Sequence, residues 1–238
     1  MPEQSRREFL KTAIKAAGVA GAAMMGASCD NDNGSPREKM EVELPEALEN
    51  FRDLSSGVLV VVANEDEERA VIRTLRAKNV QRHPRSKFDF QMLGSIHRVM
   101  MRVRDFSDRD RSNAPEHPLT RVPVLIVRAD FLNDPETQKR LADEKFHLVQ
   151  LRGHTKDMVL LHNAAEPYLD RHAIVSLGGC EGTQFIKEFY DKRKPVIADN
   201  GVGESAVNTY LLVRLIDELG VSEDWNDLYQ KLSSTGDM

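Results

Sequence analysis

A histidine and a cysteine follow two successive apolar runs of the chain at matching positions. His154 lies three residues beyond the run that ends at Leu151, and Cys180 lies three residues beyond the run that ends at Leu177. An imidazole near a thiol can accept its proton and leave the thiolate, which is the nucleophilic form of cysteine. The two residues therefore predict attack on an acyl carbon, with Cys180 as the nucleophile and His154 as the general base.

The spacing of the two residues is compatible with a single helical crossover. The segment from His154 to Cys180 is long enough to hold one helix and to join two neighbouring parallel strands. Reactive side chains of open parallel sheets collect beyond the carboxyl ends of the strands, so both are expected at one edge of a sheet. Gly153, Gly179 and Glu181 are the candidate residues for the turns and for the backbone N–H groups that would hold an oxyanion.

The other histidines are predicted away from this edge. His147 and His172 fall at the amino ends of their strands, about 20 Å from the reactive edge, and His162 falls on the crossover helix. A metal site built from His162, Glu166 and His172 is the less favoured alternative, because a solvated helix face explains the spacing of His162 and Glu166 equally well. We expect no metal ion and no other cofactor.

The elements that position these residues alternate along the chain. A continuous β-branched run at 57–63 predicts a strand buried on both faces, and Asp134 followed by Pro135 is typical of a helix start. Further strands are predicted at 99–103, 122–127, 147–151, 173–177 and 195–198, and helices at 64–78, 134–143, 158–169, 183–192 and 205–219. The alternation predicts an α/β fold with a mostly parallel open sheet of about five to six strands and helices on both faces.

The segment 1–28 has the layout of an export signal. Arg6 and Arg7 precede a Phe-Leu-Lys segment and then an alanine- and glycine-rich run that ends at Ser28, which is a basic region followed by an apolar one. The paired arginines resemble the twin-arginine signal motif. The segment that ends in Cys29 resembles a bacterial lipobox, which implies that Cys29 carries lipid and begins the mature protein.

Three segments of the chain are therefore predicted: a signal peptide at 1–28, a lipid-anchored linker at 29–49 and an α/β domain at 50–238. The expected partners are the twin-arginine export machinery and, through the lipid on Cys29, a membrane, with the domain on the periplasmic or extracellular face. The formal net charge of −5 over 238 residues lacks the basic footprint of a nucleic-acid-binding protein, so no nucleic-acid partner is expected.

The order of the two reactive residues resembles that of the caspase-like (clan CD) cysteine peptidases, especially uncharacterised bacterial members. The likeness is carried by the segments 148–154 and 174–180, Leu-Val-Gln-Leu-Arg-Gly-His and Ile-Val-Ser-Leu-Gly-Gly-Cys. It implies a caspase-like fold, a His154/Cys180 dyad and a peptide or protein substrate. Thr155 stands where this superfamily usually has glycine, and Gly179 stands where it usually has alanine or serine.

Segment 179–184 also resembles the nucleophile elbow of glutamine amidotransferases, but no histidine follows Cys180 as that family requires.

Two classes of function follow from these patterns. The first is an exported, membrane-tethered cysteine peptidase or related amide hydrolase, and the second is a non-catalytic caspase-like binding or scaffold lipoprotein. Asp157, Glu181 and Asp199 follow predicted strands, where they could receive a basic side chain of a substrate.

Overall fold

A computed structural model describes residues 18–19, 45–77, 89–102, 121–179, 185–198 and 205–233 of the protein. The strands in these ranges are β1 (Gly18–Val19), β2 (Val58–Val62), β3 (Asp89–Leu93), β4 (Ile96–Arg102), β5 (Arg121–Arg128), β6 (Phe146–Arg152), β7 (Leu169–Gly178) and β8 (Val196–Ala198). The α-helices are α1 (Glu65–Arg76), α2 (Pro135–Leu141), α3 (Met158–Ala165), α4 (Ile186–Phe189), α5 (Ser205–Leu219) and α6 (Trp225–Ser233).

The strands form one mixed sheet in the order β1-β8-β7-β6-β2-β5-β4-β3. The central strands β5, β2, β6, β7 and β8 are parallel to their neighbours in that series. The hairpin β3–β4 adds two antiparallel strands beside β5. The α/β class and the mostly parallel sheet are as predicted.

The predicted number of strands is too low, because in the described ranges the sheet already has seven strands from β2 onward and β1 adds an eighth at its edge. The strand missed among the seven is β3, which pairs antiparallel with β4 through a loop of only Gly94 and Ser95. Gly94 has a φ of +64°, as the first residue of such a tight hairpin loop requires. The two-residue strand β1 pairs with β8 and lies inside the predicted signal peptide.

Local capping explains where two of the helices begin. The side chain of Asn64 accepts a hydrogen bond from the N–H of Glu67 at 3.0 Å at the start of α1. Asp134 accepts one from Thr137 at 3.0 Å at the start of α2, whose first residue is Pro135. Both contacts satisfy backbone donors that a helix leaves free at its amino end. The helix predicted at 183–192 is shorter than expected, since its described part is α-helical only over Ile186–Phe189.

Helices cover both faces of the sheet, as predicted, and each face has its own apolar core. Alternate residues of β2 belong to the two cores: Val58, Val60 and Val62 pack with α1, α5 and α6, whereas Leu59 and Val61 pack with α2, α3 and α4. All five β2 residues are buried. This burial explains why β2 is a continuous apolar run rather than an alternating one.

The end of the predicted linker packs against the amino edge of the sheet, where the parallel strands begin. Leu48 and Phe51, in the 3-10 turn Leu48–Phe51, are buried in the first core. The indole N–H of Trp225 donates to the backbone oxygen of Glu46 at 2.7 Å. His172 lies 2.9 Å from a carboxylate oxygen of the same glutamate. The folded structure therefore includes residues on both sides of the predicted boundary at residue 50.

Candidate active site

The strands that precede the two reactive residues are adjacent and parallel, as predicted. Leu151 pairs with Leu177 and Arg152 pairs with Gly178. The members of each pair are separated along the chain by the same number of positions as His154 and Cys180. The chain therefore leaves β6 and β7 at the same edge of the sheet, two residues before His154 and two residues before Cys180. We call this edge, where the parallel strands end, the carboxyl edge.

This edge is also where the order of the strands reverses. The chain passes from β2 to β5 on one side and later places β6 on the other side of β2, so the loops after β2 and β6 diverge to opposite faces of the sheet. Ligands of open α/β sheets bind in the crevice formed at such a point. The N–H of Ala63 donates to the oxygen of Arg152 at 2.8 Å, which joins the two loops at the base of that crevice.

His154 is exposed at the start of the loop after β6. Its backbone N–H donates to the carboxylate of Asp157 at 3.1 Å, and the N–H of Asp157 donates to the oxygen of His154 at 2.8 Å. These reciprocal bonds fix the backbone at residue 154 and turn the chain into α3. Asp157, considered from the sequence as an acceptor for a basic substrate, thus also has a local structural role.

Two glycines of the site are required by close packing between the loops. A side chain at Gly153 would place its Cβ 2.8 Å from the Cβ of Ala63, and one at Gly179 would place it 2.5 Å from Cε of Met158 and 2.8 Å from the oxygen of Gly153. Real Cβ atoms do not approach other atoms so closely. The loops after β6 and β7 therefore touch directly, and their contact depends on the absence of side chains. The oxyanion role predicted for these glycines stays a prediction.

Several predicted site residues lie outside the described ranges. They are Cys180, Glu181 and Asp199, which the sequence predicts at the reactive edge, Cys29 of the lipobox, and Arg6 and Arg7 of the export signal. The roles predicted for them stay predictions.

A buried ion pair at the same edge was not predicted from the sequence. The side chain of Arg152 is 1% exposed and its Nη2 lies 3.2 Å from a carboxylate oxygen of Glu67, in the first turn of α1. The partners are 85 residues apart along the chain, so no local pattern links them. The available signal was the position of Arg152, a charged residue at the end of an otherwise apolar strand and two residues before His154.

The three histidines predicted away from this edge have other partners. His147 lies 3.8 Å from a carboxylate oxygen of Asp170, and His172 binds Glu46. The ring of His162 stacks on Phe189 with the centroids 4.2 Å apart, and burial lowers the pKa of this histidine, although the nearby Glu166 carboxylate opposes the shift. Among the described residues, no group of three His, Cys, Asp or Glu side chains could hold a metal ion.

No protein-family model, curated protein or solved structure matches this chain. Within the described residues, no helix combines the length and apolar character needed to cross a membrane.

Proposed function

We propose that the protein is an exported, membrane-tethered cysteine peptidase or related amide hydrolase that uses Cys180 as its nucleophile and His154 as its general base. The observation that carries this proposal is the register of β6 and β7. Residues paired at the ends of these strands are separated along the chain by the same number of positions as His154 and Cys180. The likeness to caspase-like peptidases belongs to the same proposal.

The chemistry follows from the two side chains. The His154 imidazole accepts the thiol proton, and the thiolate attacks the carbonyl carbon of an amide bond to give a tetrahedral oxyanion. Collapse of this intermediate breaks the C–N bond, and the imidazolium returns its proton to the leaving amine. Water, deprotonated by the same imidazole, then hydrolyses the thioester and regenerates the thiol. The exposed position of His154 supports these roles, because the base must reach both substrate and water.

The location of the proposed enzyme rests on the segment 1–29. Arg6 and Arg7 would direct export by the twin-arginine route, and lipid on Cys29 would hold the domain at a membrane surface. Mass spectrometry of the N-terminal peptide from isolated membranes tests this assignment: we expect a chain that begins at a lipidated Cys29. An unmodified peptide spanning residues 20–35 from the same membranes would contradict it.

Hydrolysis of a mixed peptide library by the purified full chain tests the proposed reaction. We expect cleavage products in the mass spectrum and none with the Cys180→Ala variant, whose small side-chain change should leave folding intact. Products that persist in that variant would exclude Cys180 as the nucleophile. Absence of cleavage by the parent chain, together with slow alkylation of Cys180 at neutral pH, would contradict an active dyad.

A second candidate function is favoured by the local role of residue 154. The backbone N–H and oxygen of His154 both bond to Asp157, so the turn would form around a residue with no part in catalysis. A non-catalytic binding or scaffold lipoprotein accounts for this turn. It predicts that replacement of His154 leaves the alkylation rate of Cys180 unchanged.

A further inference from the structure

In the part of the chain that the structure describes, β3 forms one edge of the sheet. It is the last strand of the series, and its register joins all five of its residues to β4 without a bulge. Edge strands commonly carry lysine, proline or a bulge, each of which hinders pairing with another chain. The sequence of β3, Asp-Phe-Gln-Met-Leu, contains neither lysine nor proline. The strand therefore lacks the usual protection of an edge.

The hairpin loop determines which backbone groups of β3 face outward. When a loop has two residues, the residues on either side of it, here Leu93 and Ile96, exchange both of their backbone hydrogen bonds. Hydrogen-bonded and non-hydrogen-bonded pairs alternate along the ladder, so Gln91 also bonds to β4, whereas the backbone groups of Phe90 and Met92 point away from it. The outer edge thus offers two N–H donors and two carbonyl acceptors.

The side chains at the same two positions are apolar. Phe90 packs against the first core, and the guanidinium of Arg76 lies 4.6 Å from the centroid of its ring. Met92 projects from the same face of the sheet, because it follows Phe90 by two residues. Its side chain is 69% exposed, the largest exposed fraction of the large apolar residues in the described ranges. The edge therefore presents an exposed thioether beside a half-buried aromatic ring.

We infer that β3 is a self-association surface, which pairs with β3 of a second copy of this chain. The inference goes beyond the proposed function and does not depend on it. An antiparallel pair centred on Gln91 places Met92 opposite the partner's Phe90, and two-fold symmetry repeats this contact. The outward donors and acceptors of each copy then bond to those of the other.

The strand fits a second copy because its sequence is complementary to itself in this register. Each exposed Met92 side chain covers the ring of the partner's Phe90, and contacts between sulfur and aromatic rings are favourable. The paired strands are short, however, whereas stable specific interfaces bury roughly 1,200–2,000 Å². We therefore expect a weak dimer, with a dissociation constant of about 10–300 µM.

Disulfide trapping tests the register. The parent is the full chain with Cys29→Ser and Cys180→Ser, which has no native thiol. Gln91→Cys in this parent places the two thiols on the two-fold axis, where the Cα atoms are about 4.5 Å apart, a separation that a disulfide spans. Mild oxidation should therefore yield a covalent dimer. The substituted side chain is exposed, so folding should not be affected.

Two further cysteine positions make the trapping specific. Arg98→Cys is the matched control, because Arg98 pairs with Gln91 in β4 and leaves the edge intact, but its copies would be about 14 Å apart. Its yield should be at least about tenfold lower, since a disulfide spans less than about 7 Å between Cα atoms. Met92→Cys places the thiols about 8 Å apart in the antiparallel pair, but within about 5 Å in a parallel in-register stack.

Three results of the trapping would overturn the inference. The first is the absence of a covalent dimer with Gln91→Cys at about 1 mM protein, well above the expected dissociation constant. The second is an equal yield with Arg98→Cys, which would indicate random collision. The third is an equal yield with Met92→Cys, which would indicate parallel stacking of the kind that leads to aggregation.

Sedimentation equilibrium of the parent measures the association itself. Met92→Lys places a charge in the apolar contact, twice in each dimer, and should raise the dissociation constant about tenfold or more. Leu160→Lys is the matched control: Leu160 is 67% exposed on α3, and its replacement should leave the constant within about twofold.

Two outcomes of the sedimentation would also contradict the inference. A parent that is monomeric at about 1 mM would exclude pairing of two copies and would leave the β3 edge to an extended segment of a different protein. A larger effect of Leu160→Lys than of Met92→Lys would assign the contact between the copies to α3.

Discussion

The two edges of the sheet use histidine in different ways. At the amino edge, His172 binds Glu46 and packs edge-on against Phe51 with the ring centroids 5.7 Å apart, and His147 faces Asp170. At the carboxyl edge, His154 is exposed, and no described carboxylate forms an ion pair with its ring. The carboxylate of Asp157 is bound instead to the backbone of this residue.

This difference indicates which histidine is available to act as a general base. A ring held between a carboxylate and an aromatic side chain contributes to folding, and in His172 the Nε2 atom is committed to that contact. An exposed ring on a fixed backbone can exchange protons with a substrate and with water, as a general base must. Residue type alone does not distinguish these cases, whereas the edge of the sheet on which the residue lies does.

The largest expected effect is on hydrolysis. Cys180→Ala should abolish cleavage of the peptide library, and His154→Ala should lower kcat/KM about a hundredfold or more, the usual scale for loss of a general base. His172→Ala is the matched control and should stay within about threefold of the parent rate, well below the effect of losing a base. A loss as large for His172→Ala as for His154→Ala, in proteins that are both folded, would remove the distinction between the two edges.

The next effect concerns the contact between the loops of the carboxyl edge. Gly153→Ala should lower the free energy of unfolding by about 1–3 kcal/mol, because its Cβ would lie 2.8 Å from that of Ala63 and overpacking has this cost. Urea unfolding of the variant measures it. Gly153→Ala combined with Ala63→Gly removes the tightest contact and should recover part of the loss, and failure to recover any would show that the packing argument is wrong.

At the amino edge we expect a smaller change, confined to stability. Glu46→Ala removes the acceptor of His172 and should lower the free energy of unfolding by about 1 kcal/mol. It should also change the fluorescence of Trp225, the only tryptophan of the chain, which is bonded to the backbone of residue 46. Peptide hydrolysis should not change. Glu49→Ala, an exposed position in the adjacent 3-10 turn, is the control and should alter neither stability nor fluorescence.

The smallest expected effect concerns His162, which is partly buried and stacked on an aromatic ring. Burial lowers the pKa of His162, so the unfolded chain binds a proton more readily than the folded one. Its contribution to stability should therefore be constant above pH 6.5, the ordinary pKa, and should decline as the pH falls below it. In His162→Phe this decline should be smaller, as thermal unfolding between pH 8 and pH 5 would show. An unchanged decline would assign the acid sensitivity to other groups.

Much of the sheet could be predicted because its signals are local. The buried run of β2, the Asp134–Pro135 helix start and the apolar runs of β6 and β7 are each readable from short stretches of sequence. The hairpin strand β3 was missed, although Gly94 and Ser95 between two β-prone segments were an available signal. The short α4 was overestimated, because helical periodicity does not show where tertiary packing ends a helix.

The sequence predicted which strand ends form the candidate site, but it did not predict the buried ion pair there. The crossover length brought the chain segments before His154 and Cys180 to adjacent strand ends, as the register confirms. The Arg152–Glu67 pair could not be foreseen, because a charged side chain is rarely buried and its partner comes from a different βα unit. The steric need for Gly153 and Gly179 likewise depends on side chains of other elements, Ala63 and Met158.

The hydrogen bonds of Glu46 also determine which part of the domain first resists a pull on the preceding polypeptide. In the proposed mature chain, which begins at Cys29, a pull on residues 29–44 would be taken up first by Glu46, through its N–H bond to the oxygen of Lys192 at 2.9 Å and its contacts with His172 and Trp225. From His172 to the end of β7 at Gly178 is about 20 Å of extended chain. If the proposed lipid tether is present, tension from it would thus be borne at the amino edge, and the loops of the carboxyl edge would keep their spacing under that load.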